Sequence, residues 1–316
     1  MKHFIDFRDA ETANKLVDTA LQFKKAPFSK NEEGKNETLG LIFMNPSLRT
    51  RLSTQKAAIN LGMNTMVMNM SGEGWALEFN DGTIMNGGAA EHVKDAARVM
   101  GQYCDIIGIR TFASLKNREE DYAEKLLSIF QEESGRPIIS LESATRHPLQ
   151  SLADLLTIRE LSDKQNPKIV LSWAPHPKAL PQAVANSFAE WMIGSGYDLT
   201  ITHPIGFELS EKFSKKATVI HNQEYALKNA DFVYVKNWSS FHHYGQTSQE
   251  ADWTMTNHKM NLTNNARFMH CLPMRRNVVA TDAVIDSPSS AVIQQAGNRV
   301  FSAQAVLFHI LNHLNQ

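Results

Sequence analysis

The sequence predicts an α/β protein built as two domains, each a parallel sheet flanked by helices. Three observations predict it: short apolar runs alternate with helical patterns through residues 38–161, a second alternation of the same kind begins at residue 168, and 316 residues are too many for one ordinary domain and suit two of roughly 150. In the first half the strand-length runs are TLGLIFM (38–44), NTMVMNM (64–70), CDIIGIR (104–110) and PIISLES (137–143). Between and after them, TRLSTQKAAINLGM (50–63), HVKDAARVMGQY (92–103), EDYAEKLLSIF (120–130) and PLQSLADLLTIREL (148–161) repeat apolar residues at helical spacing. The polar stretch SDKQNP (162–167) ends in proline and is the candidate linker. Beyond it KIVLSWA (168–174), DLTITHP (198–204), ATVIH (217–221), DFVYVK (231–236) and RFMHCLP (267–273) read as strands, with PQAVANSFAEWMIG (181–194) and the weaker EYALKNA (224–230) as helices. The closing NRVFSAQAVLFHILNHL (298–314) reads as one long helix packed on one of the two domains.

Composition excludes several classes of protein. A hydrophobic content of 42% and a charged content of 21% describe two buried cores rather than disorder. Thirty-two Lys and Arg against 33 Asp and Glu leave a net charge of -1, so no global basic field exists for nucleic acid or an anionic membrane, and any anion site must be local. Two cysteines, an amino-terminal stretch without the apolar core of a secretory signal and the lack of about 18 consecutive apolar residues point to a cytoplasmic address with no membrane partner.

In open α/β sheets ligands bind beyond the carboxyl ends of strands, so the tails of the apolar runs are where chemistry is sought. Strand TLGLIFM runs into NPSLRTR and then a helix, which would aim the amides of Ser47, Leu48, Arg49 and Thr50 from a helix N-terminus, an anion cradle. Arg49 adds a planar fork suited to phosphate, and the Ser47 and Thr50 hydroxyls add neutral groups. A Ser or Thr helix cap with solvated arginines explains the segment equally well, and both readings stay open from these residues alone. Arg110 ends another strand, and His147 and Gln150 open the helix after PIISLES. Each residue alone is more often structural than a ligand. Three such strand ends together favour function, because that many donors without an anion repel one another.

Three segments, SLRTR at 47, HPLQ at 147 and HCLP at 270, occur in the order and spacing of the aspartate and ornithine carbamoyltransferase family, which the chain resembles over nearly its whole length. HCLP points to the ornithine branch, and Leu48 stands where the family usually has threonine, which removes one hydroxyl donor and leaves the backbone cradle. The resemblance implies a carbamoyl-phosphate-binding domain, 1–147 with 298–316, an acceptor-binding domain, 148–297, a C-terminal helix crossing back to the first domain, and a homotrimer with shared sites. It implies that Ser47, Leu48, Arg49, Thr50, Arg110, His147, Gln150, Cys271, Leu272 and Arg299 hold carbamoyl phosphate, with Arg49, Arg110, His147 and Cys271 as the catalytic group. Arg110 and His147 would face the oxygen on which charge grows. Trp75, in SGEGWALEF, matches a tryptophan that some members send from a neighbouring subunit. A core aromatic is the plain alternative, and the glycines before it favour a loop. The chemistry is attack of a neutral amine on a carbonyl with loss of phosphate and needs no metal or cofactor. Cys271 beside His270 is not read as a nucleophile, because adjacent strand positions face opposite ways.

Ordinary ornithine-specific members carry an aspartate that reads the free α-ammonium, where this chain has Lys236 in KNWSSF. An ammonium there disfavours a cationic acceptor and favours an anionic one. WALEF, ATRHPLQ, WAPHPK, NSFAEWM, TNNARFMHCLP and RRN resemble the branch that acts on acylated ornithines, and by that resemblance Glu142, His176, Lys236 and Arg275 contact the acylornithine. Acetyl-specific members place a lysine where this chain has Val279 and a glutamate where it has Ala90. The uncharged pair favours the longer, anionic succinyl group, although succinyl members have proline at the second position; Lys178 or Arg275 would meet its carboxylate. The expected reaction is carbamoyl transfer to N-succinyl-L-ornithine, in arginine biosynthesis, with N-acetyl-L-ornithine as the alternative acceptor. A non-catalytic phosphate-binding oligomeric regulator would need fewer converging groups. A dinucleotide-binding dehydrogenase is opposed by Gly194-Ser195-Gly196, which lies at a helix end without a third glycine.

Overall fold

Strands of both halves pair in parallel. The computed structural model describes residues 1–10, 13–248 and 250–315. The chain divides into a first unit, Met1–Ala113 with Glu119–Leu149 and Arg299–Gln316, and a second, Ser114–Arg118 with Gln150–Asn298.

In the first unit β1 (Thr38–Phe43), β2 (Asn64–Asn69), β5 (Ile106–Arg110) and β6 (Ile138–Glu142) form a sheet in the order β2-β1-β5-β6, and β3 (Leu77–Glu78) pairs with β4 (Glu91–His92) as a separate two-stranded ladder. β5 and β6 are buried at every position, the signature of strands covered on both faces, whereas β2 at the sheet edge alternates exposed and half-buried residues. Helices Arg49–Asn60, Val93–Tyr103 and Lys125–Glu133 follow β1, β4 and β5 in sequence. Gly101 lies where an added Cβ would meet the Ser134 carbonyl oxygen, so only glycine lets these backbones approach.

The segment read as one helix at 120–130 is two, Arg118–Ala123 and Lys125–Glu133, because Glu124 adopts a left-handed backbone with φ 47°. A helix not anticipated, Ala13–Lys25, buries Leu16, Val17, Ala20 and Phe23. Its polar residues outweigh that stripe in composition, which hid it.

In the second unit β7 (Ile169–Trp173), β8 (Leu199–Thr202), β9 (Thr218–Ile220), β10 (Phe232–Lys236) and β11 (Arg267–Met269) form a sheet in the order β11-β10-β7-β8-β9. Val170, Val233, Val235 and Phe268 anchor one of its cores. Helix Ala183–Gly194 follows β7, and the pattern at 224–230 yields only the short helix Gln223–Leu227. Residues 162–167 are not a linker between units: they join helix Pro148–Leu161 to β7 inside the second unit, and the division between units falls within that helix, between Leu149 and Gln150.

The last helix, Val292–Leu314, begins in the second unit and continues as part of the first. Its later turns pack on the first unit: Asn60 Nδ2 donates to Gln304 Oε1 at 2.9 Å, Gln304 Nε2 donates to the Pro27 carbonyl at 2.7 Å, and Phe23 meets Phe308 edge to face at 5.4 Å. Among the described residues no helix is long and apolar enough to cross a membrane.

Candidate active site

In the first unit the chain leaves β1 through Met44–Leu48 and enters helix Arg49–Asn60 with no side-chain bond from the cap residue Leu48. The neighbouring Ser47 supplies the cap instead, its Oγ accepting the Thr50 amide at 3.3 Å. Thr50 is buried, and its Oγ1 accepts from Arg299 Nη2 at 2.6 Å, which ties the last helix to the first turn of this one. The Leu48 side chain is exposed.

Arg110, at the end of β5, is buried and braces the same loop. Its Nη1 donates to the Asn45 carbonyl at 2.9 Å and to the Pro46 carbonyl, and its Nη2 pairs with Glu142 Oε2 at 3.0 Å. The guanidinium also lies 4.1 Å from the centroid of the Phe112 ring. His147 Nε2 is 3.7 Å from the same Glu142 oxygen. Burial, and after it the charges of Arg299 and Arg110, hold the His147 imidazole well below its ordinary range, so it is neutral near pH 7 and presents one N–H and one lone pair. Its Nδ1 and Arg110 Nε are buried without a hydrogen-bond partner among the described residues. Arg110, Glu142 and His147 thus form one cluster, and Glu142, expected at the acceptor, lies in the first unit beside the two residues expected at carbamoyl phosphate.

A residue the sequence did not single out shapes this cluster. Glu124, at the left-handed break, receives Ser143 Oγ at 2.6 Å, the Thr145 amide at 2.8 Å and the Thr145 hydroxyl on one carboxylate oxygen, and so fixes the turn between Glu142 and His147. Nothing in EDYAEKLLSIF marks it out from the other acids of that segment.

In the second unit β11 leads into His270 and Cys271. The His270 Nδ1 accepts the Leu272 amide at 2.8 Å, so that ring nitrogen is used on its own backbone. Cys271 is buried, and Leu272 holds a left-handed φ of 55° ahead of a cis Leu272–Pro273 bond. Gln150 Nε2 donates to Asp154 Oδ1 at 2.7 Å.

Beyond β10 and β7 lies a basic cluster. Lys236 ends β10 with 9% exposure, and among the described residues no carboxylate pairs with it. His176, after β7, donates from Nδ1 to the Lys178 carbonyl at 2.8 Å, and its Nε2 accepts from Arg275 Nε at 3.2 Å. The Lys178 amide also lies 3.1 Å from Nδ1, but an arginine only donates, so Nε2 is the acceptor and the proton of the neutral ring sits on Nδ1, towards the Lys178 carbonyl. Burial lowers the His176 pKa, the Lys178 carbonyl opposes this, and the charges of Lys236, Arg275 and Lys178 lower it further. Lys236, Lys178 and Arg275 therefore converge around a neutral imidazole, an arrangement that suits a carboxylate ligand.

Trp75 is 59% exposed and donates from Nε1 to Glu91 Oε2 at 2.9 Å, so it is a loop residue and not a core aromatic. Ala90 is exposed, and Val279 is buried in the apolar core with Val170 and Phe268. Among the described residues no group of histidine, cysteine and acidic side chains is arranged to hold a metal ion.

Residues 2–160 match the family model for the carbamoyl-P binding domain of aspartate/ornithine carbamoyltransferases, and residues 181–310 match the model for the Asp/Orn binding domain. The fold and these two matches define an enzyme of the carbamoyltransferase class. N-succinylornithine carbamoyltransferase of Bacteroides fragilis (strain 638R) is 51% identical over 99% of this chain and 100% of its own length. N-acetylornithine carbamoyltransferase of Xanthomonas campestris pv. campestris is 36% identical over 97% of each chain. The crystal structure of a glutamate-to-alanine variant of N-acetyl-L-ornithine transcarbamylase, complexed with carbamyl phosphate and N-succinyl-L-norvaline, superposes with a TM-score of 0.93 at 36% identity over 98% of this chain and 100% of that one. The chain belongs to the aspartate/ornithine carbamoyltransferase family.

Proposed function

We propose that this carbamoyltransferase moves the carbamoyl group of carbamoyl phosphate to the δ-amine of N-succinyl-L-ornithine, giving N-succinyl-L-citrulline and phosphate in arginine biosynthesis. The observation that carries the acceptor assignment is the buried Lys236 ammonium, without a carboxylate partner among the described residues and grouped with Lys178 and Arg275 around His176. A free α-ammonium is repelled there, whereas an acylated ornithine brings a carboxylate and a neutral amide. The exposed, uncharged Ala90 is consistent with a second carboxylate on the acyl group. The Bacteroides relative named for the succinylated acceptor supports the same choice, as does the complex of the glutamate-to-alanine variant with a succinylated ligand.

In this reading Ser47, Leu48, Arg49, Thr50 and Arg299 hold the phosphate, and Arg110 with neutral His147 donates to the carbonyl oxygen. The amine lone pair forms the new C–N bond, the C–O bond to phosphate breaks, and the proton lost by the amine ends on the departing phosphate. A neutral His147 suits this role, since a donor that stays uncharged does not trap the substrate in the ground state. Gln150, Cys271 and Leu272 face the carbamoyl amide, and Glu142, His176, Lys236 and Arg275 the acylornithine. A cytoplasmic homotrimer with Trp75 lent between subunits belongs to the same proposal. The exposure of Trp75 just before β3, and of Ile84 and Met85 between β3 and β4, supports it.

The test is product formation from carbamoyl phosphate with ornithine, N-acetylornithine and N-succinylornithine offered separately at equal concentration. Preference for the succinylated amine is expected. Preference for the acetylated amine overturns the acyl assignment, and activity with ornithine alone overturns the argument from Lys236.

A further inference from the structure

Lys259, in the short helix Asn257–Met260 of the second unit, is only 9% exposed and has no part in the reaction as read above. The Glu224 and Asp252 carboxylates act on it through space, but its ammonium bonds to three neutral oxygens: Gln223 Oε1 at 2.6 Å, the Thr254 carbonyl at 3.0 Å and the Asp252 carbonyl. An ammonium has three protons and no lone pair, so all three are spent and the direction of each bond is fixed. Gln223 accepts on Oε1 and must therefore turn its NH2 the other way, where it meets Ser172 Oγ at 2.8 Å and the Trp253 carbonyl at 3.1 Å. Ser172, having accepted, donates to the Trp173 carbonyl at 3.0 Å. Donation thus runs one way, from Lys259 through the buried Gln223 and Ser172 to the end of β7.

The end of β7 carries the basic cluster. Trp173 lies in register with Lys236 on β10, the Ala174 amide donates to the Lys236 carbonyl at 3.2 Å, and Trp173 Nε1 donates to the Trp238 carbonyl at 2.9 Å. His176 lies in the loop that leaves β7. The Trp253 ring meets that of Trp173 edge to face at 6.1 Å, so the segment held by Lys259 packs on the same tryptophan. We propose that Lys259 is a positioning residue for the acceptor: through Gln223 and Trp253 it holds the end of β7 where Lys236 and His176 meet the acylornithine. This rests on the reading that those two residues contact the acceptor. A lysine suits the task because a cation that only donates allows Gln223 one orientation. Without it, two carbonyls and Gln223 Oε1 lose a buried donor, and the glutamine can reverse and set its oxygen against the Trp253 carbonyl.

The experiment measures, on the intact enzyme, KM for N-succinylornithine and KM for carbamoyl phosphate, each with the other substrate saturating, together with the urea midpoint. Lys259→Met keeps the apolar stem and removes the donors. It is expected to raise the acceptor KM about tenfold, the worth of one buried hydrogen bond, and to leave the carbamoyl-phosphate KM within about twofold. Gln223→Leu breaks the chain one step further on and is expected to raise the acceptor KM to a similar degree; joined to Lys259→Met it adds little, because both act through the same contact. Lys236→Met tests the acceptor reading separately. If it leaves the acceptor KM unchanged, that reading fails and the proposal with it; if it raises the acceptor KM while Lys259→Met does not, the proposal alone fails. A lowered urea midpoint with both KM values native, or an equal rise in both, makes Lys259 merely structural. If Lys259→Met does not fold, Gln223→Leu decides: a raised acceptor KM with a native carbamoyl-phosphate KM supports the proposal, and any other pattern overturns it.

Discussion

Replacing Glu124 by alanine should damage the first unit at one turn and disable His147 from a distance. One half-buried carboxylate oxygen accepts from Ser143 Oγ, the Thr145 amide and the Thr145 hydroxyl. A hydrogen bond to an ionised group contributes about 1.5–3 kcal/mol, but the bonds here share one acceptor that is partly open to water, so its loss is expected to cost about 2–4 kcal/mol in total. Ser143 and Thr145 are buried and would be left with donors to re-pair. Their turn also makes the Ser143 amide bond to the Arg146 carbonyl at 2.7 Å, next to His147. A shift of about 1 Å at a catalytic group can cost on the order of a hundredfold in rate, so turnover should fall roughly 10- to 100-fold. Glu124→Gln, which keeps the acceptor oxygen without the charge, should lose about 1 kcal/mol and most of the activity defect should vanish. Urea unfolding gives the stability, amide hydrogen exchange at Thr145 gives the location, and steady-state kinetics give the consequence. An alanine variant with native protection at Thr145 and native kinetics would refute the reasoning.

Lys236→Asp should lower kcat/KM for N-succinylornithine at least about tenfold and move selectivity towards free ornithine, since the charge met by the acceptor is reversed; unchanged selectivity among the three acceptors would remove the argument. Gly101→Ala should destabilise the first unit by about 1–3 kcal/mol, because its Cβ would meet the Ser134 carbonyl oxygen and not a movable side chain; an unshifted urea midpoint would mean the helix can slide. His3, His147, His176 and His203 all have pKa values lowered by folding, with burial the first cause of each. Their unfolded forms bind more protons as pH falls through about 6.5, so stability is full above that pH and declines below it. Urea midpoints at pH 8, 6.5 and 5.5 should descend, and a flat profile would contradict the assigned neutral states.

Much of the fold was legible because apolar periodicity reports which faces are covered. β5, β6, β7 and β10 read as unbroken apolar runs and are buried at every position. The helix Ala13–Lys25 was missed because its buried stripe is narrow in a polar segment, and the break at Glu124 because nothing in EDYAEKLLSIF announces a left-handed residue. The linker at 162–167 was misread because a polar, proline-ended loop marks the end of a helix as well as the end of a domain.

The sequence by itself determined the parallel α/β class, the order along the chain of the strands in the two main sheets, the family and the identities of the residues at the strand ends, because those depend on local pattern and on motifs read within a few residues. Only the tertiary structure decided which of these groups meet. Arg110 with Glu142, Thr50 with Arg299, and Asp154 with Gln295 are separated by 32, 249 and 141 positions. A hydrogen bond acts over about 3 Å, and chain separation says nothing about which distant donor reaches that distance. Neutrality at His147 is likewise a property of burial and neighbouring charge, and both exist only once the chain is folded.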